Sequence, residues 1–222
     1  MNPFLKMIQS GATSEVADAV ELDPALVEYR DPQGVSALIW AVYAGQPLVR
    51  DFLASRLATH GVPLDVFEAA ATGDETRLQA ILESDRSAAQ TVSGDGWTAL
   101  HLAAAFGTPA SVTALLSHGA NVKAVSANAQ SNQPLHAACA LSRNPTTIGI
   151  LLNNGADADA AQTGGFTALF SVAAANRKDL AELLVKHGAN PRRPNDQGKT
   201  SASFARERGH AEMADWLESF PA

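Results

Sequence analysis

Asp95-Gly96-Trp97-Thr98-Ala99-Leu100-His101-Leu102-Ala103-Ala104-Ala105-Phe106-Gly107 reads as a turn, a cap, a short helix and a stop. Asp95-Gly96 is a tight-turn dipeptide, because glycine takes positive φ without steric cost. Thr98 offers a hydroxyl to the first free N–H groups of a helix, and Gly107 ends that helix about two turns later. Thr108-Pro109 then starts a second helix, with proline where its missing N–H is not needed. Val112, Leu115 and Leu116 recur at helical spacing as far as Gly119. His101 raises the question of function: it is either a chemical group or part of the helix end.

The unit recurs along the chain. Leu5, Ile39, Phe67 and His101 each stand six residues before a glycine, at Gly11, Gly45, Gly73 and Gly107. His136, Phe170 and Ser203 take the matching places further on, so successive spacings are 34, 28, 34, 35, 34 and 33 residues. Seven helix-turn-helix units fill the chain. Ser10 to Gly45 also overlays Thr72 to Gly107 without a gap at an offset of 62, pairing Asp23 with Asp85, Gly34 with Gly96 and Leu38 with Leu100. This points to a copied two-unit block. One helix pair cannot bury its apolar face alone, so stability must come from stacking on neighbours. Alanines 103–105 permit that close approach, and the leucines supply the apolar face.

"DGWTALHLAAAFG" followed by "LLSHGANV", "QPLHAACA" with "LLNNGADADA", and "GGFTALFSVAAAN" with "LLVKHGANP" resemble ankyrin repeats. The matches are strongest from Asp95 to Pro191 and stay in phase outside it. The resemblance implies a mainly α fold: an α-solenoid of about seven stacked helix pairs, terminal caps included, with short β-hairpin fingers. The corresponding units are approximately 1–30, 31–63, 64–92, 93–127, 128–161, 162–194 and 195–222, in a single domain over 1–222. It also implies recognition of another macromolecule.

Two departures stand out. Gly45 to Gly61 is 16 residues against 12 for Gly107 to Gly119, which predicts a second outer helix longer by about one turn. Gly61 to Phe67 is only 6 residues against 17 for Gly119 to His136, so the finger between the second and third units should be absent or reduced to a loop, leaving a notch. In the fifth unit Ser142-Arg143-Asn144-Pro145 replaces the glycine turn. Ser142 to Gly155 is 13 residues, one more than Gly107 to Gly119, which predicts an enlarged turn there.

Within the repeat logic the histidines are structural. His101 and His136 take the site where the resemblance implies an imidazole bonded to the cap and to a neighbouring finger, with Gln133 in the usual place of threonine. His60, His118 and His187 precede the glycine that ends an outer helix, where a polar or cationic side chain suits the helix dipole. His210 follows a first-helix glycine. Gly198-Lys199-Thr200 ends like a phosphate-binding loop, but Arg193 stands where the first glycine belongs. Asp157-Ala158-Asp159 opens like a calcium loop, but Gln162 and Ala168 replace its glycine and glutamate. Cys139 lies in an alanine-rich helix, without a base free to activate it. No catalytic residue, metal ligand or cofactor is expected.

With 16 basic and 23 acidic residues the formal charge is −7, which disfavours general binding to nucleic acid or anionic membrane. The apolar string Phe4-Leu5-Lys6-Met7-Ile8 is too short for a signal peptide, and a single cysteine leaves no internal disulfide. The expectation is a cytoplasmic monomer without a small-molecule substrate. In the last unit Arg206, Glu207, Arg208, Glu212, Asp215 and Glu218 surround Phe204, Met213 and Trp216, as suits a polar end cap.

The expected function is a non-catalytic protein–protein interaction module, or alternatively a regulatory inhibitor or immunity-type protein occluding one enzyme or toxin. By the resemblance, the partner-binding candidates on the fingers are Gln33, Val35, Asp95, Trp97, Gln130, Asn132 and Phe166. Tyr43, Phe106 and Leu141 follow from the first helices, and Arg143 from the altered turn. Trp97, Phe106 and Phe166 would form an apolar anchor strip, with packing of finger on finger as the competing role.

Overall fold

The computed structural model describes residues 2–221. Their fourteen α-helices form seven pairs: α1 Pro3–Ser10 and α2 Thr13–Leu22; α3 Ala37–Tyr43 and α4 Pro47–Thr59; α5 Val66–Thr72 and α6 Glu75–Ser84; α7 Ala99–Phe106 and α8 Pro109–Ser117; α9 Pro134–Ala137 and α10 Pro145–Asn153; α11 Ala168–Ala174 and α12 Lys178–Lys186; α13 Ser201–Glu207 and α14 Ala211–Glu218. The odd-numbered helices stack in sequence order along the array, α1 on α3 through to α13. Their contact surface is largely alanine: Ala41, Ala69, Ala70, Ala99, Ala103, Ala104, Ala138, Ala173 and Ala205 are buried. Leu53, Leu78, Leu115, Leu151, Leu180 and Leu217 fill the core from the outer helices.

Helix ends follow local chemistry. Ser36 accepts from the Ile39 N–H at 3.2 Å, Thr108 from that of Ser111 at 3.0 Å, and Asn144 from that of Thr146 at 2.9 Å. The copied block also folds alike. Asp23 and Asp85 each end an outer helix and cap a 3₁₀ turn, Pro24–Glu28 and Arg86–Gln90, before fingers closed by the bridges Arg30 to Ser36 and Val92 to Thr98.

Between the helix pairs, the chain turns out into fingers. The clearest is a two-stranded antiparallel sheet, β1 Ala161–Gln162 with β2 Phe166–Thr167; Pro194 and Thr200 bridge the last finger. Backbone hydrogen bonds join successive fingers: Ala127 N–H to Gly96 C=O at 2.8 Å, Thr163 N–H to Gln130 C=O at 3.0 Å, and Asp196 N–H to Gly164 C=O at 3.1 Å.

Helix α4 has 13 residues against 9 in α8, the extra turn expected from the glycine spacing. Gly61 to Asp65 runs directly into α5 with no finger, yet the notch is not open. The finger 30–36 closes onto the finger 92–98, and Gly94 lies so near the Gln33 carbonyl that a Cβ there would sit 1.4 Å from its oxygen. Where the finger is missing, Asp65 and Glu68 form a reciprocal cap: Asp65 accepts from Phe67 and Glu68 N–H groups at 2.8 Å each, and Glu68 accepts from Asp65 N–H at 3.0 Å.

The closed notch generates a prediction. Gly94→Ala should destabilise the protein by about 1–3 kcal/mol through backbone overpacking, whereas Gly149→Ala, in open space within α10, should not. Urea titration of both variants checks this.

Candidate functional site

His101 is fully buried and links three elements. Its Nδ1 accepts from the Thr98 backbone N–H at 3.3 Å and lies 2.8 Å from Thr98 Oγ1, while Nε2 lies 3.1 Å from the Asn132 carbonyl. The carbonyl can only accept, so Nε2 carries the proton and Nδ1 is an acceptor. His136 repeats the arrangement, accepting from Gln133 N–H at 3.1 Å and donating through Nε2 to the Ala160 carbonyl at 3.0 Å. Each imidazole ties a helix start to the next finger. Burial pushes the His101 pKa down to about 4, and burial likewise lowers that of His136. Both are neutral struts.

The aromatic candidates divide into two clusters instead of forming one strip. Trp97 is 8% exposed and packs on Tyr43, His101 and Phe106 at centroid distances of 6.1, 5.6 and 6.2 Å. Trp40 packs edge-on against Tyr43 and donates its indole N–H to Asp31 at 3.0 Å. The Tyr43 hydroxyl donates to Asp95 at 2.5 Å, across 52 residues of sequence; burial and this carboxylate raise the phenol's pKa. At the other end of the array Phe166, Phe170 and Phe204 meet edge to face at 5.3–5.5 Å.

The remaining candidates sort by exposure. Val35 and Asn132 are buried with Trp97, their side chains held in the chain's own packing. Tyr43, Asp95, Phe106 and Phe166 are half-buried, while Gln33, Gln130, Leu141 and Arg143 are exposed. The part of the expected surface that is open to solvent is therefore narrower than the finger positions alone suggest. Trp40, Phe67 and Asp31 also join the aromatic cluster; Phe67 stands in the His101 place of its unit, and none of the three holds a finger-tip or helix-end position from which the candidates were drawn.

Leu141 and Arg143 owe their position to a helix defect. Counting to the turn residue with positive φ, the fifth unit has one residue more between cap and turn than the sixth, Gln133 to Arg143 against Thr167 to Asn176. The extra residue lies in the helix, where Ala138–Ser142 forms a π-turn, and not in the enlarged turn that counting from Ser142 suggested. Arg143 takes the left-handed conformation at φ 50°, and its carbonyl accepts from Arg177 at 3.2 Å. Leu141 is half exposed. At the start of the same helix the buried Gln133 Oε1 lacks a partner among the described residues, the consequence of glutamine in the threonine place.

The apparent chemical motifs are engaged in structure. Lys199 pairs with Glu207 at 2.6 Å, and Asp159 with Arg193 at 2.8 Å. Burial pushes the Cys139 thiol up to about 12, leaving it protonated inside the core. Among the described residues no group of three or more His, Cys, Asp or Glu side chains is placed to hold a metal ion, and no helix is long and apolar enough to cross a membrane.

A family model described as ankyrin repeats (3 copies) matches residues 66–162 and 135–219, well over half of the chain, and the chain belongs to the ankyrin-repeat family. It is 32% identical over 134 residues to the B-cell lymphoma 3 protein homolog of Mus musculus, covering 59% of this chain and 30% of that protein. It is 36% identical over 115 residues to the mouse Ankyrin repeat and SOCS box protein 16, covering 49% and 25%. Over a further 115-residue alignment it is 29% identical to the Probable E3 ubiquitin-protein ligase XBOS34 of Oryza sativa subsp. japonica, covering 51% and 22%. The chain thus spans a third or less of each of these relatives. Ankyrin repeats are generally protein-interaction modules, and the family is typically non-enzymatic.

The histidine struts predict a pH dependence. Below the ordinary histidine pKa of about 6.5 the unfolded chain takes up a proton that the folded His101 refuses until about 4. Stability present above pH 6.5 is therefore lost as pH falls through this window, by roughly 3 kcal/mol from this residue. His101→Gln should cost about 1–2 kcal/mol at pH 7 through the cap and finger bonds. The deficit should shrink as pH falls toward 4 in parallel chemical denaturation of wild type and variant.

Proposed function

We propose that this chain is a non-catalytic recognition module of the cytoplasm that binds a partner protein along the inner-helix groove and finger tips. The reading treats units 1–30, 31–63, 64–92, 93–127, 128–161, 162–194 and 195–222 as one monomeric array. The observation that carries it is the exposed pair Leu141 and Arg143, presented by a π-turn and a left-handed residue. Such irregular backbone in an otherwise regular stack holds side chains away from their repeat positions, and it recurs at functional sites. An exposed leucine beside an exposed arginine supplies an apolar anchor and a charge that reads orientation.

Around this pair Gln130, Phe166 and the edge of Phe106 provide further contacts, with Gln33 at the far end. Tyr43, Asp95, Val35, Trp97 and Asn132 shape the surface from beneath. The net charge of −7 favours a basic partner surface for the rest of the interface, which is also what occlusion of an enzyme or toxin by the groove would use.

The test is affinity capture from the source cell's lysate with wild type, a Leu141→Glu/Arg143→Glu variant, and Leu22→Glu, an exposed leucine at the end of an outer helix. A protein retained by wild type and Leu22→Glu but lost from the double variant is expected. Equal retention by all three would remove the π-turn from the interface.

A further inference from the structure

We propose that the junction between the second and third helix pairs is a hinge dividing the array into a module of residues 2–62 and a module of residues 63–221, held closed by a strap on the finger side. Three independent features meet at this junction.

First, the two large hydrophobic clusters part there, and only a smaller cluster, with Ile39 and Val42 of the second pair buried against Ala71 and Leu102, bridges the junction on its inner side. One cluster of buried side chains comprises residues between Phe4 and Leu57, and another residues between Val66 and Leu217; only the half-buried Leu64 packs against both. The junction of the first and second pairs lies inside the first of these clusters, and the later junctions lie inside the second.

Second, the surfaces flanking the junction are hollow. A cleft of about 330 Å³ opens between the outer helices, lined by Ala54, Ala58, Val62, Pro63, Leu64 and Arg77. Another of about 220 Å³ lies at the inner-helix ends, beside Gln46, Arg50, Ala71 and Phe106. Residues 61–65 cross between the modules as an extended connection without the finger that braces other units.

Third, the finger row changes character. The fingers within 92–200 are joined by backbone hydrogen bonds, whereas 30–36 and 92–98 only abut, with Gly94 against the Gln33 carbonyl. What crosses instead is made of side chains. Tyr43 donates to Asp95, and Trp40, Tyr43, Phe67, Trp97 and Phe106 pack together over the gap. Arg30 pairs with Asp65 at 2.9 Å and Glu68 at 3.4 Å.

Side-chain contacts can part without breaking a backbone ladder, so the first module pivots about the strap and the outer-helix ends move most. The junction also falls between the two overlaid stretches, Ser10 to Gly45 and Thr72 to Gly107, as expected if the modules keep their own cores.

The experiment places spin labels on exposed helix ends, in the full chain with Cys139→Ala. Thr59 and Ser84 span the proposed hinge; Ser84 and Ser117 span an ordinary junction as a control. Interspin distance distributions are recorded with and without Tyr43→Phe, which removes one hydroxyl and keeps the ring. Expected is a broader distribution for the hinge pair than for the control, and further broadening of the hinge pair alone with Tyr43→Phe. Equal widths for both pairs, or equal broadening of both by the substitution, would overturn the proposal.

Discussion

A helix pair of about twenty residues cannot cover its own apolar face, and everything else in this protein follows from that shortage. Each pair must lend a face to its neighbours, so the inner helices have to approach closely over their whole length. Alanine is the side chain that permits such an approach, and buried alanines accordingly line the stack while leucines from the outer helices fill the remaining volume. Stability in such an array is shared between neighbours, and any unit that departs from the pattern exposes its difference at a junction.

The fingers solve the accompanying polar problem. A chain that leaves one helix pair to start another must satisfy backbone groups at both ends of the excursion. Here the neutral imidazoles of His101 and His136 connect a helix start to a carbonyl of the following finger, and bonds between fingers continue the connection along the array. Without a finger ahead of α5, the Asp65–Glu68 reciprocal cap replaces the imidazole, and an aromatic cluster replaces the backbone bonds. The same scaffold thereby holds two kinds of junction, one bonded through the main chain and one through side chains.

Much of this was written in short-range patterns. The cap Thr98, the stop at Gly107, the long α4 and the missing finger depend on neighbours within a few residues, and spacing alone makes them legible. The Asp65–Glu68 capping box went unread, although its two partners lie only three residues apart. The role of His101 followed from its place in the repeat. What spacing misread was the fifth unit, where the added residue is absorbed by a π-turn in the helix, and the notch, which neighbouring fingers close.

The sequence by itself determined the ankyrin-repeat stack, its caps and its irregular units, because these are set by local hydrogen bonding and by the period of the apolar face. Only the tertiary structure decided which aromatic residues are free. Trp97 and Phe166 hold equivalent places on their fingers, yet Trp97 is buried because Tyr43 of the second unit meets it, together with Phe106 of its own unit. Exposure is a property of what other segments bring alongside, and a periodic sequence looks the same on either side of that difference.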